Sequence, residues 1–215
     1  MRVCCVMMYH TSPGNPSRGV NIVIDTCVLT NPASFRLWAK SEAEALNRVL
    51  RHLTNPRRDL LVDVWMVPGC LEEFEHFADS NHIDDKLLAR LHIREPLRDQ
   101  ISVPGGVLHD LASEFRKRGD AALKHASAVV RDAYKEEPQS RKRGAPEPVK
   151  PFIHRLREGS RHHLREGFLD SGPDVDCVLL AKELRARLVT ADLGMIKWAR
   201  RMGVEVLDYK LLKSI

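Results

Sequence analysis

Asp25 follows the apolar run VNIVI, Asp192 closes RLVTAD, and Asp174 and Asp176 open a helical stretch just after Gly172 and Pro173. A parallel sheet would bring these four carboxylates to one edge. Each also has a structural role open to it: Asp174 as a helix N-cap, Asp25 as a turn former, Asp192 as the cap of a helix starting near Gly194. Jointly they point further, because carboxylates crowded at one strand edge raise one another's pKa unless a cation neutralises them. Hard oxygen ligands of this kind point to Mg²⁺ or Mn²⁺. Such an ion supplies what phosphodiester hydrolysis needs, a water of lowered pKa and positive charge opposite the phosphate, and two ions about 4 Å apart would do both. The competing reading is an aspartyl-phosphate enzyme with DxDx(T/V) after its first strand. Here Asp25 is followed by Thr26 and Cys27, so that enzyme's general acid is missing.

The elements that must position these acids alternate. VNIVI suits a strand buried on both faces, and Trp38, Leu46, Val49, Leu50 and Leu53 then recur at helical spacing. A second apolar run, Leu60 to Val67, stops at Pro68 and is followed by Leu71, Phe74 and Phe77 on one helix face. Near the carboxyl end Val175, Val178, Leu179 and Leu184 form another face, before strand RLVTAD, helix GMIKWARRM, a stop at Gly203 and strand VEVLD. This order predicts an α/β fold, a parallel sheet sandwiched by helices, with every strand's carboxyl end on one edge. Binding sites belong at that edge. Residues 81–167 contain no convincing strand. Asp84 to Ile93 and Val107 to Lys135 read as helices, a loop EEPQSRKRGAPEPVKP follows, and Phe152 to Phe168 is helical again. The expected organisation is therefore a disordered extension over 1–19, an α/β domain from 20–80 and 168–215, and an inserted α-helical lobe over 81–167.

At 215 residues, with 43% hydrophobic and 29% charged residues, the composition is that of a globular domain and not of a disordered or fibrous chain. The longest apolar stretches fall far short of the roughly 18 residues a membrane span requires. The amino-terminal MRVCCVMMYHTSPGNPSRG shows no cleavage pattern, which reads as a cytoplasmic protein without membrane partners. Five cysteines, Cys4, Cys5, Cys27, Cys70 and Cys177, form no CxxC pair, so reduced thiols are expected and neither a disulfide framework nor a zinc site is indicated. The net charge of +5 is unevenly spread. Arg141, Lys142, Arg143, Lys150, Arg155, Arg157, Arg161 and Arg165 crowd one segment, with His154, His162 and His163 among them and only Glu147 and Glu158 opposing. A phosphate-rich partner and a merely solvated helix face both fit such a run.

The run VNIVIDTCVLTNP, the helix after VPGCLEEF and the block LREGFLDSGPDVDCVLLAKELRARLVTADLGMIKWARRMGVEVL together resemble a PIN-domain nuclease. The block with FLDSGPDVD is similar to the minimal protein-only ribonuclease P family called HARP, also labelled RNA ligase partner protein. The resemblance covers residues 20–80 and 168–215. It implies a PIN-like fold and a Mg²⁺-dependent endonuclease, with Mn²⁺ able to substitute, that removes the 5′ leader of precursor tRNA and leaves a 5′ phosphate on the tRNA. It implies catalytic roles for Asp25, Asp170, Asp174, Asp176 and Asp192, with Asp25, Asp174, Asp176 and Asp192 as metal ligands. A PIN fold also places a Glu on the helix after the second strand, where Glu72 and Glu73 compete and Glu73, before apolar Phe74, is preferred. Thr26 and Thr190 would support the ligands. Arg141, Lys142, Arg143, Arg155, Arg157, Arg161 and Arg165 would contact RNA. The resemblance further implies a higher-order homo-oligomer; Leu111, Phe115 and Leu123 could serve its interface, although packing within the lobe explains them more simply. Many PIN nucleases carry another acid just after the late-strand Asp, where Leu193 and Gly194 stand here. A toxin-like PIN ribonuclease and a non-catalytic RNA-binding subunit of a repair or ligation complex are the alternatives.

Overall fold

In a computed structural model, residues 19–55, 61–79, 82–142, 149–165, 167, 169 and 171–214 are described, except for the side chains of 136–142, 149 and 165. The expected extension over 1–19 lies, apart from Gly19, outside the described residues. Five strands form one sheet: β1 (Gly19–Ile24), β2 (Leu61–Met66), β3 (Leu91–Ile93), β4 (Arg187–Thr190) and β5 (Val206–Asp208). All pairings are parallel and the order is β3-β2-β1-β4-β5. The central position of β1 explains its composition, since Ile22, Val23 and Ile24 are buried on both faces and only an unbroken apolar run satisfies that.

Helices α1 (Cys27–Thr30) and α2 (Pro32–Phe35) are single turns after β1, and α3 (Glu42–Leu53) lays Leu46, Val49, Leu50 and Leu53 into the core. Helix α4 (Pro68–Phe77) begins with proline at its first position, where the missing N–H costs nothing. Helices α8 (Gly172–Glu183) and α9 (Leu193–Arg201) flank β4, and Gly203, at φ 75°, ends the turn before β5 as its lack of a Cβ allows. The two halves share one core, with Ile22, Phe74, Leu180, Leu188 and Trp198 all within it.

The segment expected to be free of strands contributes one. Helix α5 (Asp85–Leu88) is a single turn, and β3 follows it at the sheet edge, paired to β2. Three residues are too few to display a period of two, and the pairing with β2, not local propensity, holds them extended. Beyond β3 the chain is helical. Helix α6 (Gly105–Lys142) runs farther than expected, through the first residues of the anticipated loop, and α7 (Val149–Arg165) returns antiparallel to it. Arg118 donates to the His163 carbonyl at 3.4 Å and His125 Nε2 lies 3.0 Å from the Arg155 carbonyl. Gly159 faces the His125 ring, which any Cβ there would overlap, so the two helices approach closely. At its base α6 is tied to α9 by Lys197–Glu114 at 2.8 Å and Arg201–Asp110 at 3.3 Å. Leu111, Phe115 and Leu123 are 41%, 70% and 68% exposed, so packing within the helix pair does not account for them. No helix among the described residues is long and apolar enough to cross a membrane.

Candidate metal and nuclease site

The strand order reverses direction of growth between β1 and β4, and in open parallel sheets ligands bind outside the strands' carboxyl ends at that point. Asp25 stands there. Its N–H donates to the Val189 carbonyl at 3.0 Å, extending the β1–β4 ladder, and its side chain is buried with only 4% exposure. Thr190, the last residue of β4, donates its hydroxyl to Asp25 Oδ2 at 2.7 Å and accepts from the Asp192 N–H at 3.0 Å. One hydroxyl thus couples the two strand ends. Asp192 in turn caps α9, accepting from the Met195 N–H at 2.6 Å.

Ser171 caps α8 by accepting from the Asp174 N–H at 3.1 Å, which fixes Asp174 in the first turn, facing the seam. The Asp174 carboxyl is pushed up to about 6, chiefly by burial and then by the charges of Asp25, Asp192 and Glu73. Asp25 is raised too, by its burial first and by Asp192 after the opposing hydrogen bonds from Cys27 and Thr190. Glu73 on α4 is raised by burial and by Asp25. These mutual effects define a group of four: Asp25, Glu73, Asp174 and Asp192. Of the two competing glutamates, Glu73 is the one whose charge acts on Asp174. Thr26, expected to support a ligand, donates instead to the Cys70 carbonyl at 2.7 Å and so anchors α4.

Asp176 does not join the group. Two residues along a helix rotate a side chain by roughly 200°, and Asp176 receives Arg98 in a two-pronged pair at 2.8 and 2.6 Å. Arg94 likewise reaches Glu183 at 2.6 Å. The segment leading from β3 to α6 is thereby fastened to α8. Asp170 lies outside the described residues, as do Arg143 and the side chains of Arg141, Lys142 and Arg165. Arg157 and Arg161 are exposed on α7, rotated away from the Phe152, Leu156 and Gly159 stripe, whereas Arg155, also exposed, lays its guanidinium over the Phe152 ring at 4.5 Å beside that stripe.

The donor chemistry fits a hard divalent cation. Among the described residues no lysine or arginine pairs with Asp25, Glu73, Asp174 or Asp192, whereas nearby Asp176 and Glu183 each have an arginine. The mutual repulsion of these acids is relieved by protonation, toward which Asp25, Glu73 and Asp174 are shifted, or by a cation that joins them. Three thiols escaped the sequence reading. Cys27 donates to Asp25 Oδ2 at 2.6 Å, and Cys70 and Cys177 lie beneath the carboxylate. The one available signal was the placement of Cys177 a helical turn after Asp174.

The approach of α4 to α8 sets the distance between Glu73 and Asp174. A Cβ at Gly69 would meet Pro173 Cγ at 2.7 Å. Gly69→Ala is expected to force the two helices apart, costing about 1–3 kcal/mol and lowering cleavage further than the loss of folded protein accounts for. Urea melts and rates corrected for the folded fraction check this.

A parallel α/β sheet with acids at its switch point defines a class, and a family profile described as PINc domain ribonuclease matches residues 21–215. Several relatives named RNA-free ribonuclease P are similar over most of both chains. That of Nitrosococcus oceani is 34% identical over 194 residues, covering 90% of this chain and 92% of its own. That of Thermococcus onnurineus is 31% identical over 192 residues, 88% and 89% of the two chains, and that of Pyrococcus horikoshii 29% over 196 residues, 91% of each. The chain belongs to the RNA-free ribonuclease P family of PIN-domain ribonucleases.

Proposed function

We propose that this chain is a metal-dependent endoribonuclease that removes the 5′ leader from precursor tRNA, leaving a 5′ phosphate on the tRNA and a 3′ hydroxyl on the leader. The observation that carries the reading is the group Asp25, Glu73, Asp174 and Asp192 at the sheet's switch point, without a cationic side chain among the described residues to balance it. Asp25, Asp174 and Asp192 would hold the ion, with Glu73 beside them. Bound Mg²⁺, or Mn²⁺ in its place, supplies a water of lowered pKa and positive charge opposite the scissile phosphate. Thr190 orients Asp25, and Ser171 orients Asp174 through the α8 N-terminus. Asp170, two residues before α8 in the sequence, is a further proposed member. Asp176, assigned from sequence to the metal, acts here through Arg98 on the placement of α8.

The α6–α7 pair is the RNA-binding part of a helical lobe that starts after β3, later than the expected boundary at 81, because α5 and β3 pack with the sheet of the nuclease domain. Arg157 and Arg161 present charge on the outer side of α7, Arg155 adds to it from beside Phe152, and Arg141, Lys142, Arg143 and Arg165 extend it along the chain. Contacts of this kind recognise the phosphates of an A-form stack by shape, because its deep major groove hides the base edges. Arg157→Glu with Arg161→Glu is expected to weaken precursor tRNA binding by about tenfold or more and to flatten its salt dependence by about two units of slope. Single-turnover cleavage at saturating RNA stays unchanged; filter binding across a salt series checks the first part. The exposed Leu111, Phe115 and Leu123 provide the contact surface for a higher-order homo-oligomer. The enzyme acts in the cytoplasm.

The test is cleavage of 5′-labelled precursor tRNA with Mg²⁺ or with chelator, mapped at nucleotide resolution. A single metal-dependent cut at the mature 5′ end is the expected result. Cuts elsewhere would identify a PIN ribonuclease of another specificity, and bound but uncut RNA in both Mg²⁺ and Mn²⁺ would indicate a non-catalytic subunit.

A further inference from the structure

Three of the five cysteines converge on one carboxylate from three separate elements. Cys27 in α1 meets Asp25 Oδ2, Cys70 in α4 lies 4.0 Å from Oδ1, and Cys177 in α8 lies 3.3 Å from Cys70 Sγ. Cys70 and Cys177 are fully buried. The proposed hydrolysis uses neither thiol. One oxygen of Asp25 and these two sulfurs all lie within 4.8 Å of one another. Ligand atoms of a single tetrahedral ion, bound at about 2.3 Å to sulfur and roughly 2.1 Å to oxygen, stand about 4 Å apart. Modest side-chain rotation therefore brings the set onto one ion.

We propose that Asp25, Cys70 and Cys177 form a site for a thiophilic divalent ion of the Zn²⁺ or Cd²⁺ kind, lying beneath the oxygen site and sharing Asp25 with it. On binding, each S–H bond gives way to a metal–sulfur bond, two protons leave to solvent, and no oxidation state changes. Asp25 is then committed to the sulfur side and withdrawn from Glu73, Asp174 and Asp192. Excess Mg²⁺ does not reverse this, since thiolates select soft and borderline ions over a hard one. The contact with Cys70 and then burial push the Cys177 thiol up. Occupancy of the site is independent of the activity proposed above; the inhibition that follows from it rests on that reading.

The experiment is a Cd²⁺ titration of the full chain carrying Cys4→Ser and Cys5→Ser, in excess Mg²⁺, followed by ultraviolet thiolate-to-cadmium absorption and by proton release. The expected result is one Cd²⁺ per chain, absorption of two thiolates and two protons released per ion. Cys70→Ser and Cys177→Ser each remove the two-thiolate signal, Cys27→Ser keeps it, and cleavage of precursor tRNA falls at the same stoichiometry. No absorption in the Cys4→Ser, Cys5→Ser chain, or a signal unchanged by Cys177→Ser, overturns the site. Should either serine variant fail to fold, the proton count decides, and fewer than two protons per ion overturns it. Binding with undiminished cleavage in a cleaving chain overturns the sharing of Asp25 alone.

Discussion

Asp192→Asn is expected to cut the rate of precursor tRNA cleavage by more than about 100-fold, the upper range for residues that merely support a metal ligand, while RNA affinity and melting temperature stay near the parent values. The separation is possible because Asp192 has two duties. One carboxylate oxygen caps α9 through the Met195 N–H. Asparagine is as good an N-cap as aspartate, so the helix keeps its start. The negative charge facing Asp25 and Asp174 is what the substitution removes. Single-turnover cleavage, filter binding and thermal melting on the same preparation give the three readings. Cleavage at the parental rate would place the ion without Asp192.

The second large effect couples pH, stability and metal. The Asp174 carboxyl sits at about 6 in the folded protein against an ordinary 3.8, with burial as the main cause. Between those values the folded chain holds a proton that the unfolded chain has released. Stability of the chelated protein therefore falls as pH rises from about 4 to about 6, and the full penalty remains above that window. Burial displaces Asp25 in the same direction. A divalent cation binds the ionised carboxylates and reverses the sign of their contribution. At a hundredfold excess over its Kd, Mg²⁺ is expected to add about 2.7 kcal/mol near pH 7.5 and far less at pH 5. Melting curves across pH, with Mg²⁺ and with chelator, test this. In Asp174→Asn both the pH-dependent loss and the gain from Mg²⁺ should shrink; an unaltered pH profile would assign the loss to other groups.

Much of the site was legible in order along the chain. A strand buried on both faces must be continuously apolar, so VNIVI announced β1 and its end announced Asp25. RLVTAD did the same for β4 and Asp192, and Gly172–Pro173 before Asp174 marked a helix start. Crossover connections in parallel sheets then bring strand ends to one edge, and that rule sufficed to group three of the acids. Less legible was anything decided by rotation about a helix axis or by a partner distant in sequence. Asp176 follows Asp174 by two residues, yet helical rotation delivers it to Arg98, which comes from the connection after β3. The three residues of β3 have no pattern to read, and only the exposed edge of β2 makes them a strand.

Sequence by itself determined the class of fold, the sheet edge where chemistry belongs and the residues that start and stop the helices around it, because these depend on periodicity and capping over a few neighbouring positions. The tertiary structure alone decided which glutamate of α4 faces the acids, which aspartate of α8 is tied to an arginine, and that Cys70 and Cys177, 107 residues apart, stand 3.3 Å from each other under Asp25. Those outcomes follow from how α4 and α8 pack on β1, and packing is set by the shape of the whole core.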